Sequence, residues 1–451
     1  MSTFKVSKTL SKYNSMYQMV DTVYQGTDAM RDAGTLYLPK EPSESTANYN
    51  SRLNRSVLFP AYSRTIKQAV GKAFATTPAM TLPESLDYMR VDCDQTGSGL
   101  EYFTKSLLEE AINFGISYIL VDYPSTDHEL SLADEYDQNI RPYFVKINPL
   151  AVLDIKLDYI NNKVELVKFS FTEMVEDQEG DQIEQRKDFI RLEDGVYVRT
   201  YQFINNKEEL IYQGKISLDI IPVVPVYGNK VNPYFGTPVL LDLAFLNILH
   251  WQKQSDVENI LHSVACPILF IKGVDAGTNE DGTPKTIQIS PNSTYSTSDS
   301  NADIKWVEPS GGGIKVVMES ADKLIDNMSV MGLDLTVIKP GTETATGRLL
   351  DAAESNSILK SITIDLEWSI YQALIIAGLY LNIDASDSEY VMDVSSTVLS
   401  SDEVRLLIDM YKEGLLDAKA VLEEIKARKL IKSVNNIDIE PVNNDGNINK
   451  E

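Results

Sequence analysis

The stretch Gly236–Ala265, GTPVLLDLAFLNILHWQKQSDVENILHSVA, decides the fold. Thr237 is placed to cap a helix, and Pro238 suits a first helical position. The run that follows keeps a helical pattern for about seven turns at about 1.5 Å per residue. Pro267 then ends it. The two sides of this helix read differently.

Upstream, LEYFTKSLLEEAINFGISYILVDYP (residues 100–124) gives a helix and then a strand. Leu100, Phe103, Leu107, Leu108, Ala111 and Ile112 follow helical spacing. Gly115 stops the helix and Ile116 to Asp122 reads as strand. Strand-like runs follow at Tyr143–Ile147, Val152–Leu157, Val164–Phe171, Phe189–Leu192, Val196–Phe203 and Glu209–Tyr212. Many alternate apolar and polar residues, and Asn161-Asn162 and Asn205-Asn206 supply turns, which predicts an antiparallel meander. The acidic stretch Glu173–Glu184 is expected to be a solvated loop between two strands.

Downstream, Ile268–Ile271 reads as a short strand, and residues 273–313 are rich in Gly, Pro, Ser, Asn and Thr. Thr286–Ile289 and Ile304–Val307 are further strand candidates. A second helix is expected from Lys315 to Met331, with Val317, Ala321, Leu324, Ile325, Met328 and Met331 on one stripe. Pro340-Gly341 breaks any helix in the polar linker that follows. A long helix then runs from Gly347 to Leu381, its broad apolar face including Leu349, Leu350, Ala353, Ile358, Ile362, Leu366, Ile370 and Leu374. Shorter helical patterns lie at Ser401–Glu413 and Asp417–Leu430, and the last residues have the composition of a disordered tail.

The chain has 451 residues, with 41 Lys+Arg against 66 Asp+Glu and a net charge of −25. A chain of this length buries a large core and suggests about two to four domains. So acidic a chain is a poor ligand for ordinary duplex DNA, whose binding rests on Lys and Arg neutralising phosphates. The first 75 residues differ, with ten Lys/Arg and five Asp/Glu. There a helix is expected over Ser7–Tyr24, a turn-rich stretch over Gly34–Asn50, and a helix over Ala61–Ala75. The last carries Arg64, Lys67 and Lys72, which suit an acidic neighbour, a nucleic acid or plain solvent. No run of about 18 apolar residues occurs, so no spanning helix is expected. The first residues lack a signal peptide's apolar region, which argues against a secreted product.

The usual catalytic constellations are missing. Cys93 and Cys266 make neither a disulfide framework nor a four-Cys zinc site. His128, His250 and His262 are the only histidines, and the last two stand twelve apart, too far for a helical metal pair. Gly71-Lys72 lacks the upstream glycine of a phosphate loop and is followed by Ala73. Gly97-Ser98-Gly99 reads as a turn and cap, and Gly311–Gly313 as a hinge. The acidic loop Asp275–Gly282 departs from calcium-loop spacing. No catalytic residue, cofactor or metal is expected.

The order of elements resembles the portal proteins of tailed bacteriophages. Tyr234-Phe235-Gly236-Thr237-Pro238 with its helix, the step Ala265-Cys266-Pro267-Ile268-Leu269, and Ala345-Thr346-Gly347-Arg348 opening the long helix carry the resemblance. The N-terminal TDAMRDAGTLYLP and SRLNRSVLFPAYSRTIKQAVGKAF resemble a portal-like phage family once catalogued as a domain of unknown function. The resemblance implies an α+β protein of portal architecture. Its parts are an N-terminal arm and α/β wing over 1–235, a first stem helix over 236–266 and a small β-rich clip over 267–313. A second stem helix (314–331), a tunnel loop (332–346), a long wing helix (347–383) and an α-helical crown with a disordered tail (384–451) complete it. The crown is short for the family.

The resemblance also implies a function. Such a protein is a homo-oligomer, a closed ring and typically a dodecamer, at one capsid vertex. It is the channel for packaging and ejecting double-stranded DNA. Its other partners are the major capsid protein, the terminase large subunit and the head–tail adaptor, with no membrane. Its place is the virion's head–tail vertex and, during assembly, the host cytoplasm. Lys339 is then the residue expected to approach DNA phosphates, with Thr342 and Thr344 as weaker candidates. Residues 314–382 hold nine Asp/Glu and five Lys/Arg, which suits a wall along which DNA slides without being gripped. Two alternatives stand beside this: another ring-forming head–tail connector component, and an enzyme with an unrecognised site.

Overall fold

The computed structural model describes residues 4–124, 138–176, 180–264, 268–272, 301, 303–307, 312–333, 345–394 and 409–412. Helices and antiparallel sheets occupy separate stretches of chain, so the fold is α+β.

The body forms around β2 (Ile116–Asp122), buried from Ile116 to Val121. It is the middle strand of a three-stranded sheet, between β3 (Tyr143–Ile147) and β9 (Val223–Tyr227). Helix α5 (Leu100–Phe114) packs on it with the apolar stripe read from the sequence, all six residues buried. Gly115 ends α5 with φ 80°, a left-handed conformation that favours glycine.

Helix α1 (Lys8–Gln25) starts where Ser7 accepts a hydrogen bond from the Leu10 amide, at 3.4 Å. Helix α2 (Thr27–Ala33) follows. Helix α3 (Thr46–Arg55) begins inside the stretch expected to be turns, because Ser45 caps it from the Asn48 amide. Helix α4 (Ala61–Ala73) buries Tyr62, Ile66, Ala69 and Val70 and leaves Arg64 and Lys67 exposed. A short strand β1 (Ala79–Thr81) follows it.

The meander is a five-stranded sheet in the order β4 (Val152–Ile160), β5 (Lys163–Glu176), β6 (Gln182–Leu192), β7 (Gly195–Ile204), β8 (Lys207–Lys215). Asn161, Asn162, Asn205 and Asn206 all have positive φ, the conformation that a tight two-residue hairpin needs. The expected acidic loop is mostly strand. Strands β5 and β6 stay in register from Lys168↔Ile190 to Glu176↔Gln182, and Lys187 pairs with Glu173 across them at 3.1 Å. Opposite charges on facing strands make this polar stretch a good ladder. Phe169, Phe171 and Phe189 fill its inner face, and Phe169 meets Tyr118 of β2 edge-on at 5.2 Å.

A small hairpin, β10 (Lys230–Asn232) with β11 (Phe235–Gly236), leads to helix α6 (Leu241–Val264). Strands β12 (Ile268–Lys272) and β13 (Asp303–Val307) pair antiparallel, then come helix α7 (Gly312–Leu333) and the 37-residue helix α8 (Ala345–Leu381). Gly312 and Gly313, expected in a hinge, open α7. Strand β14 (Glu389–Val391) returns to pair with β1.

Candidate functional site

Among the described residues, no group of three or more His, Cys, Asp or Glu is placed to hold a metal ion. The notable feature is the unit α6–ribbon–α7–α8 and the way it is fastened to the body.

Fastening starts at a junction where backbone meets backbone. The amides of Gly228 and Asn229 both donate to the Gly115 carbonyl at 2.9 Å, and the Thr237 amide donates to Asn229 at 3.1 Å. A Cβ at Gly115 would collide with the Thr237 carbonyl, one at Gly228 with that of Ala111, and one at Gly236 with that of Gly115. Tyrosines lock the same place. Tyr17 donates to the Gly236 carbonyl at 2.7 Å and Tyr118 to that of Tyr234 at 2.8 Å. Burial pushes both phenols well above their usual range, so they remain donors. Thr237 is tied to Asn229 Nδ2 at 2.9 Å and does not cap the helix, which is why α6 starts at Leu241.

Helix α6 has little amphipathic character. Leu243, Ala244, Trp251 and Val257 are buried, yet Phe245 is 55% exposed and Leu249 and Leu261 are also exposed. Buried polar groups fix its rotation. Asn247 accepts from the Tyr62 amide at 3.1 Å and donates to the Phe59 carbonyl at 2.9 Å. Arg52 of α3 makes two bonds to Glu44 at 2.9 and 2.8 Å, one to the Pro39 carbonyl at 2.9 Å, and a longer contact to Asp256 at 3.8 Å. The guanidinium holds the Glu44 carboxyl below its usual range. A polar cavity of about 380 Å³ lies here, lined by Arg52, Arg55, Asp256, Asn259 and His262.

Helix α7 runs antiparallel to α6: Lys253 Nζ donates to Ser320 Oγ at 2.5 Å, and Asp322 faces the level of His250. Ala321, Leu324 and Met328 are buried as the stripe predicts, whereas Met331 is exposed. Val316, at 66% exposure, and Val330 also face outward. His250 is fully enclosed, with Phe59 against it at 5.7 Å and neither ring nitrogen hydrogen-bonded. Burial depresses its pKa, and Asp322 opposes that shift.

Helix α8 buries Ile362, Leu366, Ile370, Leu374 and Ala377 against β9 and β2. Segment Ile358–Leu381 is long and apolar enough to cross a membrane, with mean hydropathy 1.3, although no spanning helix was expected. Since 56% of it is buried inside the protein, it serves as a core helix. Lys339, Thr342 and Thr344 lie outside the described residues, in the segment between Leu333 and Ala345. The same holds for His128, Cys266 and the Asp275–Gly282 loop. Sequence reasoning missed the junction, whose signal is three glycines and two tyrosines scattered over more than 200 positions.

No curated protein matches this chain. Solved structures show a distant likeness. A chain of the virion of a native gene transfer agent particle is 12% identical, with 82% of this chain and 90% of that one covered and a TM-score of 0.44. A chain of the neck of an empty gene transfer agent particle, computed with C6 symmetry, gives the same identity, coverage and score. A chain of the neck of the native particle, computed with C12 symmetry, is 11% identical, with 88% and 98% covered and a TM-score of 0.42. The family model described as a domain of unknown function, DUF4055, matches residues 239–381, the stretch that spans α6, the ribbon, α7 and all of α8.

Proposed function

We propose that this chain is a portal subunit: it closes into a ring, a dodecamer in the assembled particle, at one vertex of a phage-like capsid. Double-stranded DNA passes through the ring during packaging and ejection. The observation that carries this reading is the antiparallel α6–α7 pair. It springs from a rigid junction, bears a small β ribbon at its far end, and leaves Phe245, Leu249, Val316 and Val330 in solvent. One subunit alone keeps these side chains wet, and ring closure by heterologous contacts covers them.

In this reading α6 and α7 are the stem, the β12–β13 region is the clip, and residues 332–346 form the tunnel loop. The terminase large subunit and then the head–tail adaptor dock on the clip, and the major capsid protein surrounds the wing. The motor chemistry belongs to the terminase, and this chain catalyses nothing. Lys339 supplies one positive charge per subunit to an otherwise acidic channel, touching phosphates in contacts that salt screens within about 8–10 Å. Negative-stain images and native mass of the purified chain test the ring. A monodisperse monomer at micromolar concentration, with no rings, overturns it. Lys339→Glu tests the loop: rings form normally, and packaging slows or the packaged genome is lost. Normal filling and retention would remove Lys339 from the DNA path.

A further inference from the structure

Helix α8 carries two apolar stripes, and among the described residues only one is covered. Ile362, Leu366, Ile370 and Leu374 enter the core. On the opposite side Ile364, Trp368, Tyr371, Ile375 and Leu379 recur at the three- and four-residue spacing of a helix-packing seam. Trp368 is 61% exposed, Ile364 52% and Leu379 50%. Trp368 leans on Tyr371 at 5.4 Å, and beside it runs a groove of about 520 Å³ floored by Leu166, Ile221 and Ile376. An apolar strip with an indole among its exposed members is the make-up of a protein-binding surface.

Charge indicates what covers it. Residues 358–394 hold one lysine against six carboxylates, and Asp365, Asp384, Asp387 and Glu389 are exposed. Residues 4–75 have the reverse balance, ten Lys/Arg against five Asp/Glu. Helix α4 contains no carboxylate at all. It presents exposed Arg64 and Lys67 and half-buried Lys72 on one face, and neither Arg64 nor Lys72 has an ion-pair partner among the described residues. One chain thus carries an apolar seam with carboxylates past its C-terminal end and a groove of mixed charge (Glu165, Asp365, Arg191, Lys230) beside Trp368 and, elsewhere, a basic face.

We propose that the outer stripe of α8, centred on Trp368, is a protomer–protomer contact covered by the basic α4 face of a second copy of this chain. The inference rests on the ring reading and adds the residues that join one subunit to the next. The two patches differ, so the contact is heterologous and repeats around a ring.

The test uses the full chain in sedimentation and native mass measurements. Trp368→Glu, with Trp368→Ala as the milder variant, raises the concentration for half-assembly about thirtyfold, as loss of a central tryptophan does. Its circular dichroism and melting stay those of the parent. The triple variant R64E/K67E/K72E has the same effect. Mixed together, the two assembly-deficient chains form one-to-one heterodimers and nothing larger, because each retains one intact face. Unchanged assembly of both Trp368 variants overturns the proposal, and absence of heterodimers overturns the pairing with α4. A wild-type monomer that binds phosphatidylglycerol vesicles through Trp368 puts a membrane in place of the second copy and also overturns it. If rings form despite Trp368→Glu, this inference fails and the ring reading stands. If the wild type forms open chains that Trp368→Glu dissolves, the ring reading fails and the contact stands.

Discussion

The junction around Gly115 and the outer faces of α6–α8 are opposites. At the junction every polar atom discussed has a partner and no Cβ fits. Along the helices large apolar side chains stand in solvent. The junction is complete within one chain, whereas the helices leave Phe245, Val316 and Trp368 exposed. Substitutions should therefore separate the two regions cleanly, one by stability and the other by association.

Gly115→Val should produce the largest effect. It forces a branched side chain into positive φ and against the Thr237 carbonyl, and a loss above about 4–5 kcal/mol, or no folded protein, is expected in denaturant unfolding. A folded variant within 1 kcal/mol of wild type, on the order of a surface change, would break the comparison. Arg52→Ala comes next. It leaves Glu44, whose side chain is only 10% exposed, without its partner, at a cost of about 3–5 kcal/mol. Adding Glu44→Gln should recover part of it. Tyr17→Phe removes one donor from the buried Gly236 carbonyl and should cost about 1–3 kcal/mol.

The pH response should be smaller. His250 has a depressed pKa in the folded state, so the unfolded chain binds the extra proton first. The stability linked to His250 is complete above about pH 6.5 and falls on acidification below that value, by at most about 1.4 kcal/mol per pH unit. His250→Leu should flatten this slope in unfolding curves measured between about pH 7 and pH 5. Phe245→Ser should change stability least, within about 0.5 kcal/mol, while weakening assembly. Loss of stability with normal assembly would place Phe245 on the junction's side of the comparison.

Local physics made part of this architecture legible. The α5 stripe, the Asn-Asn hairpins and the α7 stripe at Ala321, Leu324 and Met328 follow from periodicity and turn chemistry that neighbours along the chain fix. Periodicity failed where tertiary contacts compete. Thr237 has the identity of a cap, but Asn229 holds it elsewhere. Acidic β5 looks like a loop until Lys187 reaches Glu173 diagonally across the ladder. The inner face of α8 was legible too, since Ile362, Leu366, Ile370 and Leu374 are buried, but α6 mixes polar and apolar residues on every side, so its spacing did not reveal which face is buried. The junction was illegible for a related reason: Tyr17 and Gly236 are 219 positions apart, and nothing local marks them as neighbours.

The three-residue pairing of β1 with β14 has a mechanical meaning. Ala79 opposes Val391, so the α6–α7 pair and α8 belong to a closed circuit that leaves the body at one point and is stapled back at another. Closing so long a loop is entropically expensive, but each doubling of its length adds only about 0.6 kcal/mol. The docking of α8 on β9 does most of the closing, and the staple fixes the end. A load applied to the far end of the helix pair is therefore borne through the Gly115 junction, through the ties of α6 to α3 and α4, and through α8 to the staple. The pair is anchored at several points and does not swing as a lever on a single hinge.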